Sequence, residues 1–152
     1  MNKEQYQNEK AITGDSSEDT QLLRGMAVSA RQYLLSFRWC PPVEQLRLAY
    51  GIGDVVAVFY VDFPRPIESG DTSLWVVVGD LPSAYLVTDE IDSPRVALES
   101  YCSLMDDWIS AALGATHLDS AFPVAIAPTR ENVESLKTRI EYLRKIIIPN
   151  VP

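Results

Sequence analysis

The stretch Trp75-Val76-Val77-Val78-Gly79-Asp80-Leu81-Pro82-Ser83-Ala84-Tyr85-Leu86-Val87 decides the fold. Leu74–Val78 is a short, β-branched apolar run and reads as a buried strand; Tyr85–Thr88 reads as another. Between them, Gly79-Asp80-Leu81-Pro82 makes a polar corner. Glycine permits a positive φ there, and proline fixes its own φ while restricting the residue before it. So short a link favours antiparallel pairing of the two strands.

Upstream, Val55–Phe63 is long, β-branched and aromatic, which predicts a central strand. Pro64 and Pro66 close it, because proline cannot donate to a ladder. Ile67–Ser73 is a polar loop. Residues 43–54 stay open: Val43-Glu44-Gln45-Leu46 fits a helical turn, and Gly51-Ile52-Gly53-Asp54 is a turn signal.

Helices flank the strands. Asp15-Ser16-Ser17-Glu18 has the form of a capping box, with Asp15 at the cap and Glu18 three residues on. Leu22, Leu23, Met26, Ala27, Ala30, Tyr33, Leu34 and Phe37 then recur at helical spacing, with Gly25 as a point of close packing and Pro41-Pro42 as the stop. Ser93-Pro94 opens a second helix, an N-cap acceptor followed by proline at the first position. Its stripe is Leu98, Tyr101, Cys102, Met105, Trp108, Ile109 and Ala112, and Gly114 ends it. A connector spans 115–128. Thr129 caps a third helix whose apolar positions, Val133, Leu136, Ile140, Leu143 and Ile147, step by three and four. That stripe suits a core-facing helix or a coiled-coil seam between copies of the chain. Arg130, Glu134, Lys137, Glu141, Arg144 and Lys145 form its mixed-charge outer face.

Three apolar strands cannot hide both faces of a sheet unaided, so helices must cover at least one. The expectation is an α+β layered domain in the order α-β-β-β-α-α: a small, mainly antiparallel sheet of about three strands packed by three main helices. Residues 1–14 are a flexible lead-in, and 15–148 form a single globular domain. A chain of 152 residues suits one domain of that size.

Several function classes are disfavoured. No apolar run approaches the ~20 residues of a membrane span. Met1–Thr20 is polar and acidic, unlike a signal or transit peptide, so the expected compartment is the cytoplasm. Residues 41–128 carry thirteen acidic and three basic side chains, a net −10. Such a field repels nucleic acid and membrane surfaces and attracts basic partners, although it also serves plain solubility. The two cysteines, Cys40 and Cys102, lie among apolar neighbours and read as reduced core thiols, with a disulfide left open. With His117 as the only histidine, no familiar zinc set can form, and neither a metal nor a cofactor is expected.

Catalytic signatures are sparse. The glycine-framed serine elbow and the phosphate-binding glycine patterns are missing. Asp106-Asp107 are adjacent on a helix and point roughly 100° apart, so they do not converge. Asp89, Glu90 and Asp92 precede a helix N-terminus, where negative charge is favoured. Asp80 is the sharpest candidate. It either accepts backbone N–H bonds within its corner or faces a cleft together with Tyr85, Trp39 and Arg38. Trp39, Trp75 and Trp108 suit a core as well as a site.

The pattern Trp75-x-x-x-Gly79-Asp80-Leu81-Pro82-x-x-Tyr85, followed by Ser93-Pro94-Arg95 opening a helix that contains Trp108, resembles a small bacterial family of unknown function. The resemblance spans residues 72–146, about half the chain. It implies a bacterial origin and a standalone domain, and brings neither an activity nor catalytic residues.

These readings point to a non-enzymatic protein-binding module. Its acidic middle would dock a basic protein, in the manner of toxin-neutralising immunity proteins. The alternative is a small enzyme or ligand-binding domain with a site at the Gly79–Pro82 corner. Homo-oligomerisation through the last helix is a third expectation.

Overall fold

Strand β3 (Val56–Asp62) lies at the centre of the sheet, and all seven of its residues are buried. The computed structural model describes residues 1–114 and 117–152. In chain order its elements are β1 (Gln7–Asn8), α1 (Ser17–Leu35), β2 (Gln45–Ile52), β3, β4 (Ser73–Gly79), β5 (Ala84–Val87), α2 (Pro94–Ala112) and α3 (Arg130–Tyr142). The strands form one antiparallel sheet in the order β1-β2-β3-β4-β5.

The continuous apolar character of β3 and β4 follows from cover on both faces. On one face, Ala57, Phe59, Val61, Leu74, Val76 and Val78 pack under Leu23, Met26, Ala27, Ala30 and Leu34 of α1. On the other, Val58, Tyr60, Trp75 and Val77 pack under Leu98, Tyr101, Met105 and Trp108 of α2 and under Leu136 and Ile140 of α3. The result is a helix–sheet–helix sandwich. Trp75 and Phe59 are fully buried on opposite faces; truncating either to alanine costs about 3–5 kcal/mol.

The sheet has five strands where about three were expected. Gln45–Ile52 gives a weak sequence signal because Arg47 and Gly51 interrupt its apolar pattern. It nevertheless pairs with β3 from Gln45↔Asp62 to Ile52↔Val56, with a register shift between Leu48 and Tyr50. Val43–Leu46 is accordingly no helical turn. Tertiary context also rescues the buried Arg47, whose Nη1 donates to Asp62 Oδ2 at 3.0 Å. Strand β1 has only two residues and exists through its partners Leu48 and Arg47.

Residues 1–14, expected as a loose lead-in, pack against the sheet. Ile12 is fully buried in the α1-side core. Tyr6 sits edge-on to Trp75 on the other face at 6.0 Å between centroids. The segment thus wraps the β1 edge from one face to the other. Lys3 Nζ reaches Asp62 Oδ1 at 3.1 Å, and the Gln7 side chain holds the backbone of Thr13 at 2.8 and 3.2 Å.

The helix signals are realised with shifts. Ser16, one residue after the expected Asp15, caps α1; its Oγ accepts from Asp19 N at 3.0 Å. Asp19 then accepts from Gly53 N at 2.8 Å, tying the start of α1 to the β2–β3 turn. A Cβ on Gly53 would lie 2.7 Å from Asp19 Oδ1 and 2.9 Å from Leu22 Cβ, so the approach requires glycine. Gly25, expected at a close contact, meets nothing within 4 Å. α1 stops at Leu35, before Pro41-Pro42.

The stripe Val133, Leu136 and Ile140 of α3, continued by Leu143 and Ile147 beyond it, is buried against the sheet and α2, so it faces the core. The chain continues as a π turn over Leu143–Ile147 and a 3-10 turn over Ile148–Asn150. Cys40 and Cys102 are both free and belong to cores on opposite faces, with the sheet between them.

Candidate functional site

The β4–β5 corner is built by backbone demands. Gly79 has a φ of +150°, and a Cβ there would collide with the Val55 carbonyl oxygen. Asp80 N donates to that same Val55 oxygen at 3.1 Å. Across the corner, the Tyr101 hydroxyl donates to the Pro82 carbonyl at 2.6 Å, fastening α2 to it. Burial pushes the Tyr101 phenol up, with Cys102 and Tyr33 adding to the shift, so it remains a neutral donor.

The Asp80 carboxylate points outward and is 72% exposed. Arg139 of α3 meets it, with Nη2 at 3.2 Å from Oδ2 and Nε donating to the Asp80 carbonyl at 2.6 Å. The same guanidinium also bonds Ser135 through Oγ and carbonyl oxygen. Asp80 is therefore held from α3 and does not cap its own turn. It lines a groove of about 750 Å³ between the end of α1, the corner, residues 123–126 and α3, with Tyr33, Phe37, Leu81, Pro82, Val124 and Leu136 among the walls.

The other candidates gather elsewhere. Tyr85 lies on the α1 side of β5 and meets Trp39 at 5.0 Å between centroids, Phe37 at 5.3 Å, Tyr33 at 6.4 Å and Phe122 at 5.3 Å. Phe122 also packs against the opposite core, so the connector hooks over the β5 edge as the N-terminal segment hooks over β1. Trp39 and Tyr85 line a smaller cleft of about 370 Å³ with Ile67, Glu68, Ser69, Leu74 and Val87. The expected foursome therefore divides: Trp39 and Tyr85 share a cleft, and Asp80 lines a groove beyond Tyr33 and Phe37. Arg38 is exposed and makes no side-chain hydrogen bond or ion pair among the described residues.

The arrangement offers little acid–base chemistry. Burial, with a smaller contribution from Tyr85, pushes the Tyr33 phenol well above the tyrosine range and keeps it protonated. Burial likewise raises the Cys40 thiol. His117 is exposed at the start of a 3-10 turn, and its side chain caps nothing; residues 115–116 of the connector lie outside the described residues. Asp106 pairs with Arg144 at 2.6 Å. Ser93 Oγ, rather than Asp89, Glu90 or Asp92, caps α2 by accepting from Val96 N at 3.2 Å. Among the described residues, no cluster of three or more His, Cys, Asp or Glu side chains is placed to hold a metal ion, and no helix is long and apolar enough to cross a membrane.

Sequence reasoning missed Arg139, Phe37 and Phe122 as parts of these surfaces. Arg139 looks like one more solvated charge on α3, and Phe37 like one more core residue; only the packing of α3 and the connector around β5 assigns them. Compared with family models, curated proteins and solved structures, the chain matches none.

Proposed function

We propose that this chain is a non-enzymatic protein-binding module that docks a basic partner, an immunity-protein-like role in the cytoplasm. One observation carries the reading. The pairing Leu74↔Val87 brings the 63–72 loop and the 88–93 loop to the same end of the sheet. Glu68 and Asp71 lie in the first loop and Asp89 and Glu90 in the second, and none has a cationic partner among the described residues, whereas Asp92 lines a separate cleft with Met1, Gln5 and Tyr6. Lys3 and Arg47 also stand at that end but are bonded to Asp62, the last residue of β3; Arg65 lies in the first loop and Arg38 precedes Trp39. Unneutralised carboxylates on one rim speed encounter with a basic surface and select against acidic ones.

The test is affinity capture from source-cell lysate at low salt, with stepwise salt elution. A basic protein retained by the native chain and lost on the triple change Glu68→Gln, Asp89→Asn, Glu90→Gln supports the reading. Equal retention by the neutralised variant, or no capture, removes it.

A second reading draws on the 750 Å³ groove, whose size and largely apolar walls suit a small ligand anchored at Asp80 and Arg139. A small-molecule thermal-shift screen tests it. A ligand that raises Tm for the native chain but not for Asp80→Asn supports a site at the corner.

A further inference from the structure

We infer that the loop end of β5 is a docking edge for an extended basic segment of a partner protein, with one apolar side chain of that segment seated in the cleft between Trp39, Ile67 and Val87. The inference rests on the reading of the chain as a protein-binding module, and it names where and how the partner sits.

Three observations converge. First, β5 is the outermost strand, and among the described residues no backbone group from outside the sheet bonds to Ala84–Val87. An unpaired strand edge presents N–H and C=O groups to any extended chain that reaches it. Phe122 shields the edge at Tyr85, which leaves the Leu86–Val87 end open.

Second, that end carries an apolar receptor. Val87 is 44% exposed. Its side chain shares the 370 Å³ cleft with Trp39, Ile67, Leu74 and Tyr85. In a strand added beside β5, alternate side chains point to the α1 side of the sheet, where this cleft lies. An aromatic and aliphatic pocket beside unpaired backbone is the arrangement in which one buried anchor dominates binding.

Third, the rim selects the sign of the occupant. Glu68 lines the cleft, Asp71 lies in the same loop, and Asp89 and Glu90 come two and three residues after Val87. Arg38 and Arg65 only partly offset them, and the nearby Lys3 and Arg47 are engaged by Asp62. Lysine or arginine beside the anchor would find carboxylates on both loops.

The test is to pan a phage-displayed library of random heptapeptides against the full-length protein at low salt, and then to measure enriched synthetic peptides against the native chain, Val87→Arg and Glu68→Gln. Val87 is partly exposed, so Val87→Arg should keep the native circular-dichroism melt. The expected result is enrichment of peptides with a Leu, Val or Phe flanked by Lys or Arg. Val87→Arg should weaken them by about tenfold or more, and Glu68→Gln by a smaller factor. Binding should also shift Trp39 emission. If basic peptides bind Val87→Arg as tightly as the native chain, the docking edge is wrong while the protein-binding reading stands. If no basic peptide is enriched, both fall. A concentration-dependent dimer in light scattering that Val87→Arg abolishes makes a second copy the occupant and overturns the inference.

Discussion

One guanidinium holds the β4–β5 corner by both its backbone and its side chain: Arg139 Nε donates to the Asp80 carbonyl at 2.6 Å while Nη2 reaches the Asp80 carboxylate at 3.2 Å. The two halves of that grip should differ in worth. The carboxylate contact is a surface ion pair between groups 72% and 39% exposed, worth about 0–1 kcal/mol. Asp80→Asn should therefore shift the urea midpoint little. Arg139→Ala removes the carbonyl bond as well and should cost about 1 kcal/mol more. A loss of several kcal/mol in Asp80→Asn would show that the corner depends on the carboxylate itself.

Asp62 is the more demanding charge. It is 9% exposed, receives Arg47 Nη1 at 3.0 Å and the Ser73 hydroxyl at 2.7 Å, and also faces Lys3. Asp62→Ala should destabilise by about 3 kcal/mol, because Arg47, 7% exposed, would keep only the largely exposed Glu4 carboxylate at 3.6 Å. The double change Arg47→Met, Asp62→Leu should recover much of that loss. Denaturant melts of the two variants give the comparison, and equal instability of single and double changes would count against it.

Gly79 should resist substitution. Its φ of +150° and the collision of any Cβ with the Val55 carbonyl predict that Gly79→Ala costs about 1–3 kcal/mol. Gly25→Ala, on an exposed turn of α1 with nothing within 4 Å, should instead stabilise by up to about 1 kcal/mol. Thermal melts of the pair should move in opposite directions, and movement in the same direction would contradict this account.

The thiols should be slow to react at neutral pH. Burial pushes Cys102 up to about 11, with Asp106 and Glu99 adding to the rise and Arg144 opposing it; burial also raises Cys40. A raised thiol pKa lowers the thiolate fraction, so alkylation should be slow at pH 7.4, faster at Cys40 than at Cys102, and rapid for both in urea. The folded state favours the protonated thiol. The Cys102 contribution to stability is therefore full below the ordinary thiol value of 9.0 and is lost as pH rises toward about 11. Rapid labelling of native Cys102 at pH 7.4 would show that its burial is incomplete.

Legibility of the sequence followed signal strength. β3, β4 and β5 fall within about a residue of their expected bounds, because runs such as Val56–Val61 leave little choice of state. Ser93-Pro94 and Thr129 cap their helices as read. β2 was obscured by Arg47, a residue buried only because Asp62 and the N-terminal segment meet its charge. β1 carries no propensity signal at two residues. Of the candidate site, the Trp39–Tyr85 contact was legible as an association, whereas the placement of Asp80 beside Arg139 was not.

By itself the sequence determined the three-strand core, the three helices and the strongly acidic middle, since these follow from local periodicity, capping chemistry and composition. Tertiary structure decided the remainder: two further strands, the wrapping of both sheet edges by Tyr6–Ile12 and by Phe122, the separation of Cys40 from Cys102, and the bringing of the 63–72 and 88–93 loops to one end of the sheet, where Glu68 lines an apolar cleft. Those features join residues far apart in the chain through strand register and packing, and no local pattern encodes which distant partner a side chain will meet.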